Sequence, residues 1–134
     1  VDLVSEPFHT GHVEIWINPA CSKCRSAKSA LDEAGIDYVE RRYLEDPPTV
    51  VELEEVLNRL ELEPWEITRT SEPIAKELRI SSWEQNEATR STWIEALAAH
   101  PKLIQRPIIT ASDATTLIVR DSQSLGLVID AELT

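Results

Sequence analysis

Apolar residues in this chain gather into short runs of two different periods. Val13-Glu14-Ile15-Trp16-Ile17 is a β-type run that stops at the turn pair Asn18-Pro19. Beyond it, Ala27, Ala30, Leu31 and Ala34 recur at helical spacing before Gly35, which predicts a helix from about Ser22 to Ala34. Tyr38-Val39-Glu40-Arg41-Arg42-Tyr43 reads as a second strand, and a strand, helix and strand of these lengths predict a parallel pair with a right-handed crossover. Asp46-Pro47-Pro48-Thr49 then caps a helix whose Val50, Val51, Leu53, Val56, Leu57 and Leu60 share one face. Pro64 breaks that helix, Ser71-Glu72-Pro73 opens a short one toward Leu78, and another runs from about Glu87 to His100, where Pro101 ends it. Arg106 to Thr110 and Thr116 to Arg120 are short β-type runs joined by too few residues for a crossover, so they should pair antiparallel. Ser122 can cap a closing helix that carries Leu125, Leu127, Val128 and Ile129. The predicted class is α/β: β-α-β, a helical insertion over about 49–101, then β-β-α on a mixed four-stranded sheet.

Length and charge narrow the picture. The 134 residues suit one domain over 13–134, preceded by an N-terminal extension over 1–12 that lacks periodicity. No apolar run reaches the roughly 18 residues of a membrane span, and no signal sequence is visible. With 13 Lys+Arg against 24 Asp+Glu the net charge is -11, which argues against direct attachment to nucleic acid or anionic membranes. Partners should be small molecules or proteins. Against such a background, inward-facing arginines are informative.

The only two cysteines, Cys21 and Cys24, lie in and just beyond the first strand–helix turn. Two cysteines at this spacing cannot staple a secreted fold; beside a βα turn they point to redox chemistry in the cytoplasm. Cys21 should stand at a helix N-terminus, where unsatisfied amides and the helix dipole favour a thiolate, with Lys23 and Arg25 adding charge. Cys24, one turn further, should be the more buried resolving thiol. The bland readings are an inert buried cysteine, surface ion pairs for the arginines and, for Arg120, a local bridge to Asp121. His9 and His12 make an incomplete metal site, and Trp16, Trp65, Trp83 and Trp93 read as packing residues. No bound cofactor or metal is expected.

Separated motifs then add a resemblance. Asn18-Pro19-Ala20-Cys21, Tyr43-Leu44 with Glu45-Asp46-Pro47-Pro48, Thr68-Arg69 before Glu72-Pro73, His100-Pro101-Lys102-Leu103-Ile104-Gln105-Arg106-Pro107-Ile108 and the late Arg120 occur in the order found in the thioredoxin-fold arsenate reductase family. The chain resembles that family from about Val13 to Ile129. The resemblance implies a thioredoxin-like fold in which Cys21 attacks arsenate, Arg69, Arg106 and Arg120 hold the oxyanion, and Pro107 is the cis-proline facing the cysteine, with Asn18 in the turn. Planar guanidinium forks suit tetrahedral anionic oxygens. Two departures stand out: Ile17 replaces a histidine found in several such reductases, and Cys24 is absent from members that rely on glutathione and glutaredoxin. The electron donor is therefore glutathione with glutaredoxin, thioredoxin, or another low-molecular-weight thiol. The superfamily also contains the Spx redox regulators, so the alternative is a sensor that uses a Cys21-Cys24 disulfide as its switch.

Overall fold

The computed structural model describes residues 12–133. The expected extension over 1–12 lies outside the described residues, His12 aside. The described residues divide into two compact units, one formed by residues 12–43 and 106–133 and the other by residues 44–105.

The first unit holds the sheet. Strands β1 (Val13–Ile17), β2 (Tyr38–Arg42), β3 (Ile108–Thr110) and β4 (Thr116–Ile118) lie in the order β2-β1-β3-β4. β1 pairs parallel with β2 and antiparallel with β3, and β3 with β4 forms the expected antiparallel hairpin. This mixed sheet has helix α1 (Ser22–Glu33) between its parallel strands and α5 (Ser122–Leu133) after its last strand. The core between them joins Val13, Ile15, Ile17 and Ile109 of the sheet to Cys24, Ala27 and Leu31 of α1 and Val128 of α5. Burial at both Cys24 and Leu31, seven residues apart, is the helical period at work. Gly35 takes φ +73°, which ends α1 at little steric cost.

The second unit is helical: α2 (Val50–Leu60), α3 (Pro73–Glu77) and α4 (Arg90–Ala99). Thr49 caps α2 as expected, its side chain accepting the Glu52 N–H at 3.1 Å while Glu52 Oε1 accepts the Thr49 N–H at 2.9 Å. α2 and α4 bury Leu53, Val56, Leu57, Trp93, Ile94 and Leu97. Trp93 meets Trp65 and Trp83 edge-on, with ring centroids at 6.0 and 5.4 Å.

Several boundaries differ from expectation: β2 and β4 stop at Arg42 and Ile118, short of Tyr43 and Arg120. α4 starts at Arg90 rather than about Glu87, because Asn86 and Thr89 cap each other through side-chain bonds to their backbone N–H groups at 3.0 and 3.1 Å. β3 begins at Ile108, since Pro107 has no N–H to give to a ladder. α5 is capped by Asp121 and not by Ser122: Asp121 Oδ1 accepts the Ser124 N–H at 2.8 Å.

Candidate active site

Cys21 sits where β1 hands over to α1, as the N-cap residue with extended backbone angles of φ -90° and ψ 126°. Asn18 builds the turn beneath it. Its Oδ1 accepts the Ala20 N–H at 3.0 Å, its carbonyl accepts the Cys21 N–H at 2.9 Å, and its own N–H donates to Cys24 Sγ at 3.4 Å. Three bonds from one asparagine therefore fix both ends of the Cys-X-X-Cys segment. Cys21 is partly exposed and Cys24 fully buried, and both are free thiols.

Their environments split the two thiols apart. Burial opposes ionisation of Cys21, but the Cys24 amide, the Arg106 guanidinium, the Cys24 thiol and the Lys23 amide all stabilise the anion and bring its pKa down to about 6. Cys24 moves the other way, to about 12: burial raises it most, the Asn18 amide partly offsets this, and its bond to Cys21 together with that neighbour's charge raises it further. Near neutral pH the pair is one thiolate and one thiol.

The cation that bears on Cys21 is Arg106, which the resemblance also places at the site, rather than Lys23 or Arg25. Arg25 Nη1 donates to the Pro19 carbonyl at 3.1 Å, and the Lys23 ammonium acts on Asp121. It is Arg106 whose guanidinium bonds to the Cys21 sulfur. Strand register explains how a residue so distant in sequence arrives there. Trp16 faces Ile108 across the antiparallel β1–β3 pair, so the residues just before β3 run alongside the turn just after β1. The Arg106–Pro107 peptide bond is cis.

The sequence by itself points to no role for Tyr43. It is fully buried, and its phenol acts electrostatically on Arg106. The signal available was its place in the Tyr43-Leu44 motif.

Arg120 stands on the far side of Arg106, with Nη1 donating to the Arg106 carbonyl at 2.7 Å. Among the described residues no ion pair joins it to Asp121, whose carboxylate is engaged by Ser124. A cleft of about 160 Å³ has Lys23, Val119, Arg120 and Asp121 in its walls, and Cys21 is not one of them. Cys21, Cys24, Asn18, Arg106, Pro107 and Arg120 thus belong to the sheet unit. Arg69 belongs to the helical unit, where its N–H bonds the Leu103 carbonyl at 2.7 Å, Nη1 donates to Gln105 Oε1 at 2.9 Å, and Nε donates to Glu72 Oε2 at 3.3 Å. No group of three or more His, Cys, Asp or Glu residues among the described residues could hold a metal.

A sequence profile described as the ArsC family matches residues 16–125. The chain belongs to this family. Its fold is the thioredoxin-like one that ArsC proteins share: the structure of an arsenate reductase from Vibrio cholerae superposes with a TM-score of 0.74 at 32% identity, covering 89% of this chain and 96% of that one. In sequence, the ArsC-family chain is 58% identical over 113 residues to a Streptomyces viridochromogenes protein described as uncharacterized in the glnII region, spanning 84% of this chain and 95% of that protein. It is also 30% identical over 97 residues to global transcriptional regulator Spx 1 of Bacillus cereus, 72% of each. The proteins that this chain resembles thus include one named an arsenate reductase and one named a transcriptional regulator.

Proposed function

We propose that this protein is a thiol-dependent arsenate reductase acting in the cytoplasm. The observation that carries the reading is the Cys21 sulfur, drawn down to a pKa of about 6 at the N-terminus of α1 and bonded to Arg106. A thiolate paired with a guanidinium suits attack on a centre that carries anionic oxygens. Arg106 offsets the repulsion between thiolate and oxyanion, Arg120 adds charge beside it, and the α1 amides supply further donors. Arg69 enters this reading on the family resemblance alone.

In the first step Cys21 forms an S–As(V) bond while one arsenate oxygen, protonated, leaves as water. A second thiol then attacks the Cys21 sulfur, and the S–As bonding pair stays on arsenic. Arsenic falls from the +5 to the +3 state, arsenite is released, and two thiols are oxidised to one disulfide. Cys24 suits the second role by position, since its thiol bonds to the Cys21 sulfur. An external thiol (glutathione with glutaredoxin, thioredoxin, or another low-molecular-weight thiol) restores the dithiol.

The Spx relative and the hydrogen-bonded cysteine pair support a second reading, a redox regulator switched by the Cys21-Cys24 disulfide. Arsenite release by the purified protein, assayed in parallel with each class of donor, separates the two. Cys21→Ser should abolish arsenite formation, whereas Cys24→Ser should form the adduct yet fail to turn over with thioredoxin, recovering with an external monothiol. A wild type that yields no arsenite with any donor, but cycles between dithiol and disulfide near the cytosolic poise of roughly -220 to -320 mV, assigns it to the regulators.

A further inference from the structure

The β3–β4 ladder does not end where its backbone pairing ends. Ile108 faces Ile118, and the Val119 N–H donates to the Pro107 carbonyl at 3.0 Å. The next pair in the same register is Arg106 with Arg120, where the partner of the Arg106 carbonyl is a guanidinium nitrogen of Arg120 at 2.7 Å. Hydrogen-bonded and non-hydrogen-bonded pairs alternate in an antiparallel ladder, and with Pro107 bonded to Val119 the Arg106–Arg120 pair is one that shares no backbone bond, so the Arg120 side chain supplies the link. On one side of this pair Asp121 caps α5 and fixes the backbone that follows Arg120; on the other, the Arg106 guanidinium lies on the Cys21 sulfur. A charged donor on a carbonyl makes a stronger and shorter bond than an amide does, so the Arg106 backbone is held firmly although it lies beyond the strand.

We infer that Arg120 is a positioning residue: by gripping the carbonyl of Arg106 it keeps that residue's guanidinium on the Cys21 sulfur, and so sets the reactivity of the nucleophile from a distance. This role is separate from any bond Arg120 makes to an oxyanion. It rests on the reading of Cys21 as a thiolate nucleophile but not on arsenate being the substrate. The groups that bear on the Cys21 sulfur are the Cys24 thiol and amide and the Lys23 amide from α1, and Arg106 from the segment before β3. Tyr43, after β2, acts on Arg106 in turn.

The test is the rate of Cys21 alkylation by iodoacetamide as a function of pH, in a Cys24→Ser background so that one thiol is read. Arg120→Ala should move the midpoint of that profile upward from about 6 and slow alkylation at pH near 6 by roughly three- to tenfold, in line with the loss of a well-placed cation. The deciding comparison is Arg120→Ala introduced into Arg106→Ala. If Arg120 works through Arg106, the second substitution adds nothing. Additive shifts would mean that Arg120 acts by its own charge, and an unmoved midpoint in Arg120→Ala would mean that it does not act on Cys21; either overturns the inference. Should Arg120→Ala fold poorly by circular dichroism, Arg120→Gln takes its place in the same comparison: its shorter, uncharged amide should move the midpoint upward alone and add nothing in Arg106→Ala, and an additive shift or an unmoved midpoint again rejects the positioning role. Arsenite release by the wild type, measured separately, reports on the substrate and leaves this outcome unaffected.

Discussion

The chemistry of this protein rests on a difference between two sulfurs that share a helix start. Cys21 has amides and Arg106 around it, Cys24 has apolar burial, and their pKa values come to lie near 6 and near 12. Two consequences follow for Cys21. In the unfolded chain a cysteine titrates near 8.5, so the native fold favours the Cys21 thiolate. The stability this contributes is fully present above about pH 8.5 and is lost as pH falls through 6. Cys21→Ser should therefore flatten the rise of the thermal midpoint with pH across that window, and a slope unchanged from wild type would contradict the depressed pKa. The second consequence concerns geometry. Arg106→Lys keeps the charge but not the planar fork, so it should weaken arsenate binding about tenfold or more, and unchanged affinity by calorimetry would remove Arg106 from the oxyanion site. The sequence made the reactive cysteine legible through its turn and the period of the helix behind it. The resemblance already puts Arg106 at the site, whereas the antiparallel register that brings it to Cys21 is not displayed by the residues, and Lys23 and Arg25, nearer in sequence, act on Asp121 and the Pro19 carbonyl.

Elements with a strong period or cap were legible in the sequence, and those decided by side-chain competition were not. β1 falls at Val13–Ile17 and α2 starts after the Thr49 capping box, as their patterns indicate. The start of α5 was misread because Asp121 and Ser122 are both good caps, and only the backbone path after Arg120 decides between them. The structure gives the cap to Asp121, whose carboxylate meets both the N–H and the hydroxyl of Ser124. The same bonds, the Ser124 amide first, hold the carboxyl below its ordinary pKa. Asp121→Ala should thus lower the midpoint of urea unfolding, while Ser122→Ala should leave it close to the wild-type value. The reverse order would return the cap to Ser122. Short single-turn helices such as Pro64–Ile67 and Pro101–Leu103 have no period to read, and only their prolines mark them.

On the scale of the whole molecule, the field around the protein and the field at Cys21 have opposite signs. The chain carries 24 acidic against 13 basic residues, yet Arg106 and Arg120 are held together at one end of the sheet. Many of the remaining cations are neutralised locally, as Lys28 is by Glu40 at 2.9 Å and Arg90 by Glu54 at 2.8 Å and Glu63 at 3.0 Å. Such exposed pairs contribute at most about 1 kcal/mol each, so the net charge of -11 leaves a self-repulsion that disfavours the compact state. Salt should expose the contrast. Raising sodium chloride from about 10 to about 150 mM shortens the screening length from about 30 to about 8 Å, which relieves repulsion over the acidic surface and also weakens the pull of the arginines on an oxyanion. The thermal midpoint at neutral pH should rise by about 2–4 °C, while the arsenate dissociation constant, measured on the Cys21→Ser protein so that no adduct forms, increases several-fold. A falling midpoint would show that local ion pairs outweigh the net charge. Arsenate affinity that holds steady or improves with salt would mean that the oxyanion feels the acidic surface rather than Arg106 and Arg120, and would remove the electrostatic basis for the proposed site.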